Sequence, residues 1–377
     1  MEIFFSLRIL KYIFITFIAI NSVDFVYSSN SCRKSITTVN NTKIKCKNEL
    51  IFEENFERID NDEYFVSRDS YHYLNTSLWK KEIKIPLDPD YEFCIYHTLG
   101  KVLKVENGVL KIIPTLFENS YGINTTFHGE LRLTECTGIY AGECSRKAMG
   151  FSILHPVIST RLMTKDSFSF CYGKIEIRAK FPEGDWLYPE MWLQPKYTTH
   201  DSGYLSGRVI LGMARGNDHL KNSTNSSQEF GAKRLEFGLR TGPYNNITEE
   251  IVTKINDHNS WTRDYHIYTT TWTDKGFKFE VDGEVVGRLR QQLKNSDNEN
   301  WMSPYDLEFY LKLGVGVGGV RVFPDKTKSG YYQKPWKNVG AKAMYHFWEA
   351  KDQWLPNWQR NGQKTAFEID YIKIWSV

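Results

Sequence analysis

The chain has 377 residues, 41% of them hydrophobic and 25% charged, with a formal net charge of +3. Near-neutral charge, with Lys and Arg spread along the chain, argues against nucleic acid as the main partner. The length suffices for one large buried core, and many short β-rich segments favour a single sandwich over two domains.

Residues 1–29 are read as a secretory signal peptide. Arg8 and Lys11 supply the basic start, Tyr12 to Ile20 a short apolar core, and Val26-Tyr27-Ser28 a small-residue cleavage site. The apolar run is too short for a membrane span and no later stretch qualifies. A buried N-terminal strand or helix is the competing reading, and the basic flank at the extreme N-terminus weighs against it. Residues 30–48 form a cysteine-closed head, and residues 49–377 form the main domain. Six cysteines fit an oxidising, extracellular destination. Cys32 and Cys46 flank a short polar loop, as do Cys136 and Cys144, so local pairing is the simplest connectivity. Six Asn-x-Ser/Thr triplets, at Asn40, Asn75, Asn124, Asn222, Asn225 and Asn246, fit a glycosylated secretory protein. No C-x-x-C pair or histidine cluster suggests a metal, and no cofactor is expected.

Phe168 to Phe181 alternates like a strand, with a parity change at Gly173 that reads as a bulge or bend. Residues 184–195 (GDWLYPEMWLQP) gather Trp186, Tyr188 and Trp192 in a polar setting. Flat rings stack on the apolar faces of sugars, yet most aromatics fill cores. Trp186 and Tyr188 are balanced between these roles, and Trp192 leans towards the core. Asp282-Gly283 lies between apolar stretches in residues 277–289, a hairpin signal. A final strand covers 366–375. Long amphipathic helices are missing. Strands at this density, without alternating helices, predict an all-β antiparallel sandwich.

Several segments carry a resemblance. They are LIFEENF (50–56), SFSFCYGKIEIRAKFPEGDWLYPEMWLQP (167–195), ARGN (214–217), GGVRVFPD (318–325), KPW (334–336), FW (347–348), WLPNW (354–358) and IDYIKIW (369–375). In these, and in their order, the chain resembles the arthropod β-1,3-glucan-binding proteins, also called Gram-negative-bacteria-binding proteins, and their family 16 glycoside hydrolase relatives. The resemblance runs from about Leu50 to Trp375. It implies a jelly-roll β-sandwich of the concanavalin-like lectin and glucanase type, whose concave face holds an extended polysaccharide. Many members carry a separate N-terminal glucan-binding domain, for which no room is expected here.

The hydrolases of this family use a strand with the pattern E-x-D-x-x-E. In an extended strand i and i+2 share a face, and one bulged residue brings i+5 onto it. The first acid is the nucleophile, the last the acid/base, and retaining hydrolysis sets them ~5 Å apart. The matching stretch here is SGRVILGMARGN (206–217). Arg208 stands at the nucleophile position, Ile210 at the middle Asp and Met213 at the acid/base. Arg stays protonated and offers no acceptor, and Ile and Met do not ionise. Losing both reacting groups removes the mechanism itself. Glu190 and Glu236 are the acids that could stand in; both read as ordinary solvated carboxylates, with Glu190 pointing to solvent.

The resemblance places Trp186, Tyr188, Trp192, Arg215, Asn217, Glu236 and Phe237 at the ligand-binding face. Glu236 stands where a His is expected, Phe237 where a Trp is expected, and Gly314 where an Asn is expected. His97-Thr98 replaces an Asn-rich, sugar-contacting end. Cys94 and Cys171 also depart from the family, either as a third bridge or as two buried thiols.

The leading expectation is a secreted, non-catalytic recognition protein for β-1,3-glucan or another microbial surface polysaccharide. It would act in innate immunity and pass its signal to a protease-cascade or immune protein partner. The alternatives are a secreted β-1,3-glucanase with a relocated site, and a pseudoenzyme scaffold that binds a protein partner.

Overall fold

A computed structural model describes residues 32–57, 74–87, 89–97, 101–197, 204–243, 246–290 and 303–377. The expected signal peptide therefore lies outside the described residues. Residues 34–377 form one compact unit.

Two large antiparallel sheets organise the unit. In the first, strands run in the order Thr248–Ile255, Arg234–Gly242, Tyr204–Met213, Leu187–Pro195, Phe309–Val317 and Phe170–Cys171, and then the head strands Thr38–Val39 and Thr42–Lys43. Arg161–Met163 joins Phe309–Val317 and carries Lys80–Glu82 on its other edge. The second sheet has Gly173–Lys180 and Phe367–Trp375 at its centre, paired antiparallel. Alternation builds the layer between the sheets. Ile175, Ile177 and Ala179 are buried on one face of their strand, and Ile369, Ile372 and Ile374 answer them from the neighbour. Each fully buried aliphatic side chain contributes about 1.5–3 kcal/mol. Rings complete the layer: Phe237 from the first sheet lies 5.4 Å from Phe279 of the second, and Phe181 stacks on Tyr268 at 4.5 Å.

The parity change at Gly173 marks a change of sheet rather than a bulge. Phe170–Cys171 pairs in the first sheet and Gly173–Lys180 in the second, with Tyr172 between them at φ 64°. The Asp282-Gly283 turn forms as expected, with φ 50° and 81° joining two paired strands. The head is stitched into the sandwich: Thr38 pairs with Cys171, and the Ile36 N–H donates to the Val377 carbonyl at 2.9 Å. Two helices, Ala343–Glu349 and Lys351–Asn361, hold the FW and WLPNW motifs. Trp354 and Trp358 are buried from that second helix, so these two motifs pack as helices against the sandwich.

Cys136 and Cys144 are bridged, and Cys32 and Cys46 are likewise disulfide-bonded. Cys94 and Cys171 are free buried thiols, so the third bridge does not form. Of the sequon asparagines, Asn40, Asn75, Asn124, Asn225 and Asn246 are exposed and Asn222 is half-buried. No helix among the described residues is long and apolar enough to cross a membrane.

Candidate functional site: the outer face of the first sheet

The Tyr204–Met213 strand sets the geometry. Its pairing with Arg234–Gly242 shifts register between Tyr204 and Arg208 and again between Ile210 and Met213. Glycines allow this, with Gly207 at φ 79° and Gly212 at φ 145°. The second shift is the irregularity that the i, i+2, i+5 spacing requires. Arg208 pairs with Arg240 and Met213 with Glu236 across the strands, so these side chains share the face away from the second sheet. Val209, Leu211 and Phe237 alternate to the other side. Phe237 therefore packs between the sheets against Tyr268 and Phe279 and does not reach the outer face.

Register brings the outer-face residues into rows. One row reads Glu82, Arg161, Gly314 and Glu190, and the next Lys312, Trp192, Ile210 and Gly238. A polar or charged side chain thus sits in the middle of several apolar strands. Burial forces each to find partners.

Arg161 is the hub of the first cluster. Its Nε donates to Glu190 Oε2 at 2.7 Å, its Nη1 to Glu82 Oε2 at 2.8 Å, and its Nη2 to Glu92 Oε1 and Glu190 Oε1 at 2.6 Å each. Tyr96 accepts from the same Nη2 at 2.6 Å and donates to Glu190 at 3.0 Å. Lys312 Nζ adds a bond to Glu82 at 2.9 Å. Desolvation opposes the charge on Glu82, yet Lys312 and Arg161 outweigh it and hold the carboxyl well below its usual range. Glu92 goes the other way, pushed up by burial and by its acidic neighbours against the pull of Arg161. Burial also lowers Lys312 to about 8. Gly314 makes this cluster possible. A Cβ there would lie 2.5 Å from Glu190 Oε2 and 3.3 Å from Arg161 Cγ.

Arg208 is the hub of the second cluster. Its Nη1 donates to Asp90 Oδ2 at 2.8 Å, and its guanidinium lies 3.8 Å from the Trp192 ring centroid. Tyr204 donates to the other Asp90 oxygen, and Arg240 stands 3.5 Å from it. Burial opposes ionisation of Asp90, but the two guanidiniums keep its carboxyl well below the usual range. A third cluster surrounds Glu236. Arg215 grips it with two nitrogens at 3.0 and 3.2 Å, and Arg234 donates at 2.7 Å.

These contacts correct the reading of Glu190 and Glu236 as solvated. Glu190 is 0% exposed, and both acids are locked by guanidinium groups. The expected ligand-facing rings are interior as well. Trp186 packs edge-on against Trp336 at 4.9 Å and Phe323 at 5.3 Å. Tyr188 lies over Gly316, where a Cβ would come within 2.1 Å of its ring. Asn217 is fully buried, accepting from the Trp186 N–H at 2.9 Å and donating to Ser329 at 3.0 Å. Trp192, Ile210 and Met213 are buried too. Trp186, Tyr188 and Trp192 thus present almost no ring surface to solvent.

Sequence reasoning missed Glu82, Asp90, Glu92, Tyr96, Arg161, Tyr204, Arg240 and Lys312. One signal was present: single charges inside apolar runs, as in FYLKLG and ISTRLM. Such charges demand buried partners, but the sequence does not say which.

Comparison with known proteins places this architecture. The Glycosyl hydrolases family 16 profile matches residues 228–338. The chain is 34% identical over 368 residues to Beta-1,3-glucan-binding protein 1 of Galleria mellonella, covering 92% of this chain and 67% of that protein. It is 34% identical to Gram-negative bacteria-binding protein 1 of Drosophila melanogaster, covering 88% and 65% of the two chains. A Beta-1,3-glucan-binding protein of Penaeus monodon is 31% identical, covering 83% of this chain and 90% of its own. The chain thus spans about two thirds of the insect proteins' length and most of the shrimp protein's. Among solved structures, the laminarinase of Rhodothermus marinus superposes with a TM-score of 0.53 at 18% identity, covering 87% of this chain and 98% of its own. That likeness bears on the fold, a jelly-roll sandwich.

Proposed function

The chain belongs to the β-1,3-glucan-binding protein family, and from that premise we propose that it is a secreted recognition protein for a microbial surface glycan of the β-1,3-glucan class, acting in innate immunity without hydrolysing its ligand. The carrying observation is Arg208. The position that would attack an anomeric carbon holds a guanidinium, paired at 2.8 Å with Asp90 in the interior. A relocated glucanase site finds no support in Glu190 or Glu236, because a general acid or base must reach the proton it moves. Both carboxylates are spent on Arg161 and Arg215.

Two assays test this reading on the full chain. Co-sedimentation with insoluble β-1,3-glucan, competed by soluble glucan, should capture the protein. Laminarin-type substrate should yield no reducing ends above a boiled control. Absence of capture would overturn recognition, and reducing ends from a preparation free of other glucanases would overturn the non-catalytic assignment.

One observation favours a second reading. The outer face of the first sheet is filled by ion pairs, so a scaffold that meets a protein partner through another surface also fits the geometry. Capture of neither glucan nor any other polysaccharide would select it.

A further inference from the structure

If a glycan is bound, the filled outer face sends it elsewhere. We propose that the groove between the Tyr331-Tyr332 hairpin and the helices Ala343–Glu349 and Lys351–Asn361 is a saccharide-binding subsite for a neutral hexose chain. The inference rests on the recognition reading above.

Exposed rings supply the first argument. Tyr331 is 99% exposed and Tyr332 is 51% exposed, side by side at the tip of a hairpin. The tip turns at Gly330 with φ 58°, and the space around that Cα is open. A flat, solvated tyrosine offers an apolar face and a polar rim, the pairing that a pyranose ring presents in return.

The hairpin is firmly based, so the rings are presented from a fixed platform. Thr327–Ser329 pairs with Leu220–Asn222 on one side and Tyr332–Gln333 on the other. Ser329 accepts from Asn217 at 3.0 Å and donates to Asp185 at 3.1 Å. Lys334 Nζ donates to Asp325 at 2.6 Å and to Asn338 at 2.5 Å. The facing helices are tied to the same base, since Trp358 Nε1 donates to the Asp185 carbonyl at 2.8 Å.

Beside the rings lies an open groove of about 560 Å³, bordered by Gln333, Lys334, His346, Glu349 and Gln353. That volume falls among ordinary small-ligand sites. Amides and an imidazole donate to and accept from hydroxyl groups, and a carboxylate accepts from them, as a sugar requires. The charge pattern selects the class. Among the residues that line the groove, Lys334 is paired with Asp325 and Glu349 adds a carboxylate, so the lining itself is not a cluster of cations suited to an anionic polymer. The open shape suits an internal stretch of a chain.

The test uses the full chain and a Tyr331→Ala/Tyr332→Ala variant, with Tyr331→Phe/Tyr332→Phe as the conservative control. Both substitutions fall on exposed rings, and unchanged thermal melting verifies folding. The probes are insoluble β-1,3-glucan and, separately, insoluble mannan. The expected result is that Ala weakens glucan capture about tenfold or more while Phe retains it. Equal capture of wild type and the Ala variant overturns the groove, leaves glycan recognition standing, and turns the exposed tyrosines towards a protein partner. Tyrosine-dependent capture by mannan alone keeps the groove and overturns the glucan reading. Capture of wild type by neither polysaccharide overturns both.

Discussion

Arg208 occupies the position that the resemblance to the hydrolases gives to the nucleophile. Arg208 is stabilised by Trp192 and by Asp90, which Tyr204 and Arg240 share. A buried pair of this kind is weak evidence for net stability, but removing one partner strands the other charge and costs about 3–5 kcal/mol. Arg208→Met and Asp90→Leu should each lower the unfolding free energy by that order, read as a lower urea midpoint at unchanged slope. The double variant should cost clearly less than their sum, a coupling that a double-mutant cycle in urea measures. A second residue carries the opposite sign. Burial raises the Asp185 carboxyl to about 6 from an ordinary value of 3.8. A raised carboxyl pKa means that its stabilising share is full below about pH 4 and is lost as pH rises through about 6. Asp185→Asn removes that penalty, so the variant should melt higher than wild type at pH 7.5 and gain little at pH 4. The ceiling is about 3 kcal/mol, from ~1.4 kcal/mol per unit. An equal shift at both pH values would show that the effect is packing rather than ionisation.

Strands explain why individual substitutions come in sets. Gly314 faces Glu190 on one neighbour and Arg161 on the other. Its missing side chain and their ion pair are one feature seen from three strands. Gly314→Asn, which restores the residue expected from the resemblance, should therefore destabilise the fold. The new Cβ would meet Glu190 Oε2 at 2.5 Å and force it off Arg161. An expected loss is about 3 kcal/mol or more, since strain adds to a broken buried pair. A thermal melt within a degree of wild type would refute this account. The same logic separates the faces of Arg234–Gly242, where Glu236 turns outward to Arg215 and Phe237 turns inward to Phe279.

Over the whole molecule, the three clusters make the sandwich sensitive to acid. Asp90, Glu82 and Glu236 all have carboxyl values held below their ordinary range, each by adjacent cations that outweigh desolvation. A depressed value means stability that is fully present above the unfolded value and is lost as pH falls from there through the depressed folded value. Glu92, raised by burial, acts in the opposite direction and only partly offsets this. Urea midpoints should therefore fall steeply below about pH 4, and Asp90→Asn should flatten that fall while lowering the neutral-pH midpoint. A midpoint constant from pH 7 to pH 3 would mean that the pairs contribute nothing.

The sequence by itself determined the architecture and put Arg208, Ile210 and Met213 where the resemblance expects carboxylates. Alternation in Gly173–Lys180, the Asp282-Gly283 turn and the i, i+2, i+5 spacing around Arg208 are local, and local periodicity survives in one dimension. It also marked Cys136 and Cys144, eight residues apart, as partners. It did not reveal that Phe170–Cys171 and Gly173–Lys180 lie in different sheets, or that FW and WLPNW are helical. Only the tertiary structure decided how the charges within the first sheet are paired. Asp90 meets Arg208 across 118 positions and Lys312 meets Glu82 across 230. A charge in an apolar strand announces that it needs a counterion, but the counterion arrives from another strand. The register of the sheets, and not the order of the chain, fixes which one it is.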